Sequence, residues 1–136
     1  MKGWAAGVVA AATWAAAEPA LRRVARTPYS DVRMLGRLAT RGRAWPLAGL
    51  TLHLANGAVF GATFERLGFR GARAGIAAAE LENLVLWPTL KVVERFHPDR
   101  RSGAWPSLHD NRRVAAYEVA THALFGATLG ALISRR

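Results

Sequence analysis

The charges of this chain fall into blocks, and between the blocks lie long stretches with few charged side chains. The four stretches cover about residues 3–21, 46–64, 72–93 and 114–134. Each has roughly the 20 residues that a helix needs to cross a bilayer. The first two are apolar around the whole helix, whereas a helix of a soluble four-helix bundle keeps a polar stripe toward water. The pattern therefore predicts an all-α integral membrane four-helix bundle.

Composition excludes several other classes of protein. Hydrophobic residues make up 51% of the chain, which is too many for a disordered protein. There is no Cys, which excludes a disulfide scaffold, a thiolate zinc site and a cysteine nucleophile. The first stretch also has features of a secretory signal, but it is rich in Ala and carries Trp14 beside the cleavage-like residues. We expect it to be a membrane span.

Basic residues concentrate in two long loops, about residues 22–45 and 94–113. With Lys91, these loops hold 13 of the 19 basic residues. Basic loops stay in the cytoplasm, so we expect a bacterial inner-membrane protein with both termini outside. Arginine beside membrane spans indicates binding to anionic lipid headgroups rather than to nucleic acid. Val32, Leu35 and Leu38 share a helical face, which predicts a short helix on the inner membrane surface.

The two halves of the chain resemble each other. His53 and His122 each begin the pattern His-x3-Gly-Ala-x2-Gly-Ala, and Glu18 and Glu80 each end the tetrapeptide AAAE. The matches predict two similar helical hairpins related by an axis along the membrane normal.

Each stretch, or the turn that leads into it, carries two glycines spaced four residues apart. Small residues allow helices to approach closely in lipid, where the hydrophobic effect contributes little to helix association. One such pair in every stretch predicts tight packing, self-association into a homo-oligomer, or both. The glycines are Gly3 and Gly7, Gly57 and Gly61, Gly71 and Gly75, and Gly126 and Gly130.

Ionisable and amide side chains occur inside the apolar stretches, where burial in lipid is costly and such groups usually face the helix interior. Most of them fall at similar depth, roughly 10–17 Å below the inner surface at 1.5 Å per residue. The candidate intramembrane polar site comprises Glu18, His53, Asn56, Glu80, Glu82, Asn83, Glu118 and His122.

Three roles for this polar layer are open. The groups could hydrogen-bond one another and fix the helix register, which is the favoured interpretation. They could exchange protons in a transporter or channel subunit. Alternatively, His53 and His122 could ligate haem or a metal ion, although no cofactor is predicted outright. No catalytic residue is predicted, since nucleotide-binding loops and nucleophile motifs are absent from the sequence. His97-Pro98-Asp99 is read as a turn after a helix.

Short motifs resemble those of the YagU-like bacterial inner-membrane proteins. Trp14-x3-Glu18-Pro19 is similar to that family's tryptophan–glutamate–proline signature, and the His53 stretch resembles its second hydrophobic segment. Glu80 through Trp87-Pro88 with His97-Pro98 resembles the third segment, and Glu118-x3-His122 with the terminal Arg pair resembles the fourth. The resemblance implies a helical inner-membrane protein of undefined biochemical activity.

Overall fold

The computed structural model describes residues 1–133, and every regular element in that range is helical. This confirms the all-α prediction for the described residues. The predicted end at residue 134 and the terminal Arg135 and Arg136 lie outside them. The helices are α1 (Gly3–Ala25), α2 (Asp31–Ala39), α3 (Trp45–Arg66), α4 (Ala72–Leu86), α5 (Leu90–Phe96), α6 (Pro98–Arg101) and α7 (Arg112–Ile133), with a 3-10 turn at Trp87–Thr89.

The stretch predicted as one helix over residues 72–93 is interrupted, which corrects that prediction. α4 has 15 residues and ends at Leu86, and a 3-10 turn containing Pro88 separates it from α5. Proline lacks the N–H that would continue the helical ladder, and its ring clashes with the preceding turn. The regular part of the third stretch is thus shorter than a full membrane span.

The four long helices pack as two outer pairs joined through the middle. α1 and α7 lie side by side, α3 packs on α1, and α4 packs on α7. α1 and α7 run antiparallel, since Trp14 contacts both His122 and Phe125 while Glu18 lies near Glu118. Within residues 1–133, α3 and α4 form no comparable packed pair, and a cleft lies between them.

Glycines make both outer helix contacts. A methyl group on Gly7 would overlap the carbonyl oxygen of Gly57, and a methyl group on Gly75 would overlap that of Gly126. The backbones therefore touch without side chains between them. The other four predicted packing glycines meet in the same way, about one turn from these contacts. Gly3 meets Gly61, and Gly71 meets Gly130.

The glycine contacts define how the two halves correspond. Gly7 and Gly75 occupy matching places and are 68 residues apart, whereas Glu18 and Glu80 are 62 apart. The AAAE tetrapeptides are thus out of register and are not part of the repeat. His53 and His122 fit it, because each lies four residues before its contact glycine.

The short helix predicted in the first long loop is present as α2, and one side of it packs against α3. A methyl group on Gly49 of α3 would overlap the carbonyl oxygen of Val32, so α2 and α3 also touch through their backbones. The Ser30 hydroxyl caps α2 by accepting a hydrogen bond from the Arg33 N–H at 3.0 Å. This docking carries Asp31 into the interior, where it is buried.

α3 and α4 bury mostly small and polar residues and expose several large apolar ones. α3 buries Gly49 and His53 but leaves Leu47 71% exposed, and on α4 Asn83 is buried beside Leu84, which is 72% exposed. Two helices of the described range, α3 and α7, are long and apolar enough to cross a membrane. The Ala-rich α1 does not reach the same mean hydropathy over its length.

Candidate functional site

A cavity of about 270 Å³ lies between the two halves of the molecule, and we call it the chamber. Residues of α1 and α7 form its floor, α2 and α3 form one wall, and α4 with the 3-10 turn forms the other. Six of the eight predicted polar residues line the chamber: His53, Asn56, Glu82, Asn83, Glu118 and His122. Glu18 is buried nearby, and half-buried Glu80 accepts a hydrogen bond from the Asn83 amide at 3.4 Å; neither lines the chamber.

Trp14 brings the two histidines of the repeat to one place. Its ring meets the His53 ring edge-on with centroids 5.0 Å apart and the His122 ring with centroids 4.7 Å apart. His53 Nε2 lies 3.2 Å from the carbonyl oxygen of Ala11, to which its N–H can donate a hydrogen bond. His122 Nδ1 lies 2.8 Å from the carbonyl oxygen of Glu118. Each imidazole thus has one nitrogen at a backbone carbonyl and its ring against an indole.

Two buried carboxyl groups meet at the chamber wall. Glu118 is 5% exposed and Asp31 is 7% exposed, and their carboxyls lie within hydrogen-bonding reach of each other. The Tyr29 hydroxyl donates to Asp31 Oδ1 at 3.0 Å, and His122 Nδ1 lies 3.4 Å from Glu118 Oε2. In the described part of the chain, the remaining oxygens, Asp31 Oδ2 and Glu118 Oε1, have no hydrogen-bond partner. Two charged carboxylates so placed repel each other, so a proton or a cation is required between them.

Other ionisable groups face this carboxyl pair from the packed elements. α1 contributes Glu18, and its charge acts on Glu118 together with that of Asp31. The chamber is therefore rich in acid, in contrast to the net charge of +10 of the whole chain. The groups around the pair are Glu18 and Arg22 of α1, Tyr29 before α2, His53 of α3, Glu82 of α4, and Tyr117 and His122 of α7.

A clamp between the two long loops holds α2 in place. Arg33 donates two hydrogen bonds to the Asp99 carboxylate, from Nε to Oδ2 at 2.7 Å and from Nη2 to Oδ1 at 2.9 Å. The His97 ring stacks on Trp105 with centroids 4.4 Å apart. Its Nδ1 accepts the Asp99 N–H at 3.2 Å, which leaves Nε2 to donate to the carbonyl oxygen of Met34 at 3.3 Å. Of the predicted turn, only His97 lies outside a helix: it caps α6, which begins at Pro98, and the segment also fastens the loops together.

The clamp has defined protonation states. Burial of the Asp99 carboxyl would raise its pKa, but the hydrogen bonds and charge of Arg33 outweigh burial and hold the pKa below its ordinary value. Burial lowers the pKa of His97, so its ring is neutral near neutral pH. Because α2 carries both Arg33 and Asp31, the clamp also determines where Asp31 enters the chamber.

Sequence reasoning missed two residues of the chamber. Asp31 was placed in a cytoplasmic loop, although Ser30-Asp31 is a helix start and Gly36 and Gly49 are the small residues of a close contact. Trp14 was noted only as part of a family signature. It lies between both histidines because α1 packs on α3, which carries His53, and on α7, which carries His122.

Within residues 1–133 no group of three or more His, Cys, Asp or Glu side chains is arranged to hold a metal ion. His53 and His122 each direct one nitrogen at a backbone carbonyl.

Comparison with protein-family models, with curated proteins and with solved structures finds no match to this chain.

Proposed function

We propose that this chain is a polytopic inner-membrane protein whose chamber exchanges protons as part of a proton-linked transporter. The observation that carries the proposal is the buried pair of Asp31 and Glu118, each with an oxygen that no donor within residues 1–133 reaches. A carboxyl pair shares one proton readily, because ionising both members at close range is unfavourable. Release and uptake of that proton is the chemistry that the chamber supports.

Membrane insertion is supported by the distribution of side chains on the long helices. Leu47, Val59 and Leu84 are largely exposed, whereas His53 and Asn83 are buried. In water this arrangement would wet large apolar patches; in lipid it places apolar side chains against acyl chains. We propose that α1, α3, α7 and the third stretch, in which the 3-10 turn and α5 extend α4, cross the inner membrane as a four-helix bundle of two hairpins.

Orientation follows from where the loops lie. The Arg33–Asp99 ion pair joins the two Arg-rich loops, so both occupy the same end of the molecule. The positive-inside rule assigns that end to the cytoplasm. Exposed arginines there, such as Arg41 and Arg43, are suited to anionic lipid headgroups. Self-association into a homo-oligomer and kinship with the YagU-like proteins are further parts of the proposal.

A cysteine-labelling experiment tests this topology. The chain has no Cys, so each introduced thiol is the only one. In intact cells, a membrane-impermeant maleimide should label Arg70→Cys at once and Ala104→Cys only after the inner membrane is opened. Both positions are exposed. Equal labelling of both variants in intact cells, or protein that remains soluble after carbonate extraction of the membranes, would contradict the proposed spans.

Glu118 has a short path for its proton. His122 Nδ1 lies 3.4 Å from Glu118 Oε2, and the Asp31 carboxyl lies within reach on the other side. Nδ1 carries the hydrogen that it donates to the Glu118 carbonyl, so a proton from the carboxyls passes to the lone pair of Nε2, which a turn of the ring brings toward Glu118. His53 bonds to the Ala11 carbonyl of a different helix, and for this residue we keep the structural role of fixing helix register. The Asn83 amide bonds to Glu80 within α4.

Infrared spectroscopy tests the proton site directly. In lipid nanodiscs, a difference spectrum between neutral and alkaline samples should contain a carboxylic C=O band that disappears as the shared proton leaves. Glu118→Gln should remove this band, since an amide cannot hold that proton. The control is Glu80→Gln, which removes a carboxyl outside the chamber and should leave the band in place. A wild-type spectrum with no titrating carboxylic band would overturn the proposal.

A further inference from the structure

A second cleft, of about 290 Å³, lies beside the chamber between α3 and α4, toward the end of the molecule opposite the two Arg-rich loops. Its walls carry Phe60, Phe64, Leu81 and Val85, and Glu82 lines both spaces. A polar space and an apolar space thus share one carboxyl group at their junction. This combination suits a molecule with a polar head and an apolar chain.

The charge of the lining indicates the sign of the head. Three acidic residues, Asp31, Glu82 and Glu118, line the two spaces. Neither Lys nor Arg lines either space among the described residues, although the chain carries 19 of them. In a protein of net charge +10, this local excess of acid attracts cations and disfavours anions.

Aromatic rings complete the surroundings of the head. Trp14, Tyr29 and Trp87 line the chamber beside the carboxyls. Indole and phenol faces attract ammonium groups that have lost part of their water, and quaternary ammonium ions in particular. The two buried oxygens without partners, Asp31 Oδ2 and Glu118 Oε1, provide the negative charge.

From these observations we infer that the chamber and cleft bind an amphiphilic cation, with its ammonium head beside Asp31 and Glu118 and its alkyl chain between α3 and α4. This inference rests on the proposed function, since the cation takes the place of the exchangeable proton. The gap between α3 and α4 lets the molecule enter sideways from the lipid. Proton and cation then compete for one carboxyl pair, so cation binding weakens as the pH falls.

Binding of dodecyltrimethylammonium to the protein in nanodiscs, measured by calorimetry below the detergent's critical micelle concentration, tests the inference. Tetramethylammonium supplies the head without the chain, and dodecyl glucoside supplies the chain without the charge. We expect each to bind at least about tenfold more weakly, since each loses one half of the site. Equal binding of the uncharged chain would overturn the inference and reduce the site to a lipid-filled cleft.

Two neighbouring acids on α4 make a matched pair of variants. Glu82 lies at the junction of the two spaces, whereas Glu80 lies outside both and accepts from Asn83. Glu82→Gln should weaken dodecyltrimethylammonium binding about tenfold, and Glu80→Gln should leave it within about twofold. Ala78→Leu, which narrows the apolar cleft, should weaken the long-chain cation and leave tetramethylammonium unchanged. Equal effects of Glu82→Gln and Glu80→Gln would contradict the inference.

The two proposals can fail separately. A carboxylic infrared band that titrates in a protein with no affinity for the cation would retain the proton site and remove the cation. Cation binding that does not change with pH, in a protein without a titrating band, would remove the proton site and retain the binding cleft.

Discussion

Replacing Gly57 by valine is expected to separate α3 from α1 and to prevent the chain from reaching its folded state in the membrane. A methyl group at this position would lie 2.6 Å from both the Ala11 Cβ and the carbonyl oxygen of Gly7. Helix backbones cannot move aside as flexible side chains can. Overpacking usually lowers the free energy of unfolding by about 1–3 kcal/mol. Because the added side chain overlaps backbone atoms, we expect this variant to lose at least the upper value. That is a large share of a typical total stability of about 5–15 kcal/mol.

Thermal unfolding in nanodiscs and the yield of monodisperse protein measure this effect. Gly42→Val is the control, because its added carbon would meet only the Thr40 hydroxyl at 3.5 Å. Gly126→Val should reproduce the defect of Gly57→Val, since Gly126 holds the matching place in the α4–α7 contact. A Gly57→Val protein with the wild-type melting temperature would contradict the close helix contact.

Asp99→Asn is expected to release the loop clamp and to expose the two Arg-rich loops to protease. The variant replaces a carboxylate that accepts two hydrogen bonds from Arg33 by a neutral amide. Charge-assisted hydrogen bonds contribute about 1.5–3 kcal/mol, and Asp99 is almost fully buried. If the closed form of the loops loses about 2 kcal/mol of stability, the rate at which trypsin cleaves after Arg100 and Arg101 should rise on the order of 30-fold.

The matched control is Asp110→Asn. Asp110 pairs with His109 at 2.9 Å, but its side chain is 79% exposed, so its removal should change the cleavage rate little. An equal rise in both variants would show that the buried pair has no special role.

Acid should open the same clamp in the wild-type protein. In the folded protein, the pKa of Asp99 lies below its ordinary value of 3.8. Its stabilising effect is therefore complete above that value and is lost as the pH falls through the lower folded pKa. Fluorescence of Trp105, which stacks on His97, should change in that acid range in wild type and not in Asp99→Asn.

The sequence predicted the helices well because in this chain local composition and tertiary packing agree. Charge-poor stretches became α1, α3 and α7, and glycines four residues apart became the close contacts. The third stretch was predicted too long because apolar composition continues past Pro88, while the proline prevents a regular helix there. Apolar composition shows which segments can lie in lipid, but a helix ends where the backbone hydrogen bonds between successive turns are interrupted.

The chamber could be predicted only in part, because its geometry depends on how the helices turn. His53 and His122 repeat at the same spacing before a glycine pair, so their common depth was readable from the sequence. Asp31 was not, since Val32, Leu35 and Leu38 favoured a lipid-facing helix and nothing local marks a loop that folds back into the interior. The carboxyl pair with Glu118 arises from tertiary docking of α2 on α3.

The glycine contacts make each outer helix pair rigid, so the contact between α1 and α7 is the more deformable one. Within each outer pair the backbones interlock, but the pairs meet through larger side chains such as Trp14 and Phe125, with ring centroids 6.2 Å apart. Rocking of one half against the other about the α1–α7 line is therefore the motion of lowest cost, and it is largest at the end away from the Arg33–Asp99 clamp, which ties the halves together. Such rocking would widen or narrow the gap between α3 and α4 while the covalent and backbone-packed parts kept their shape.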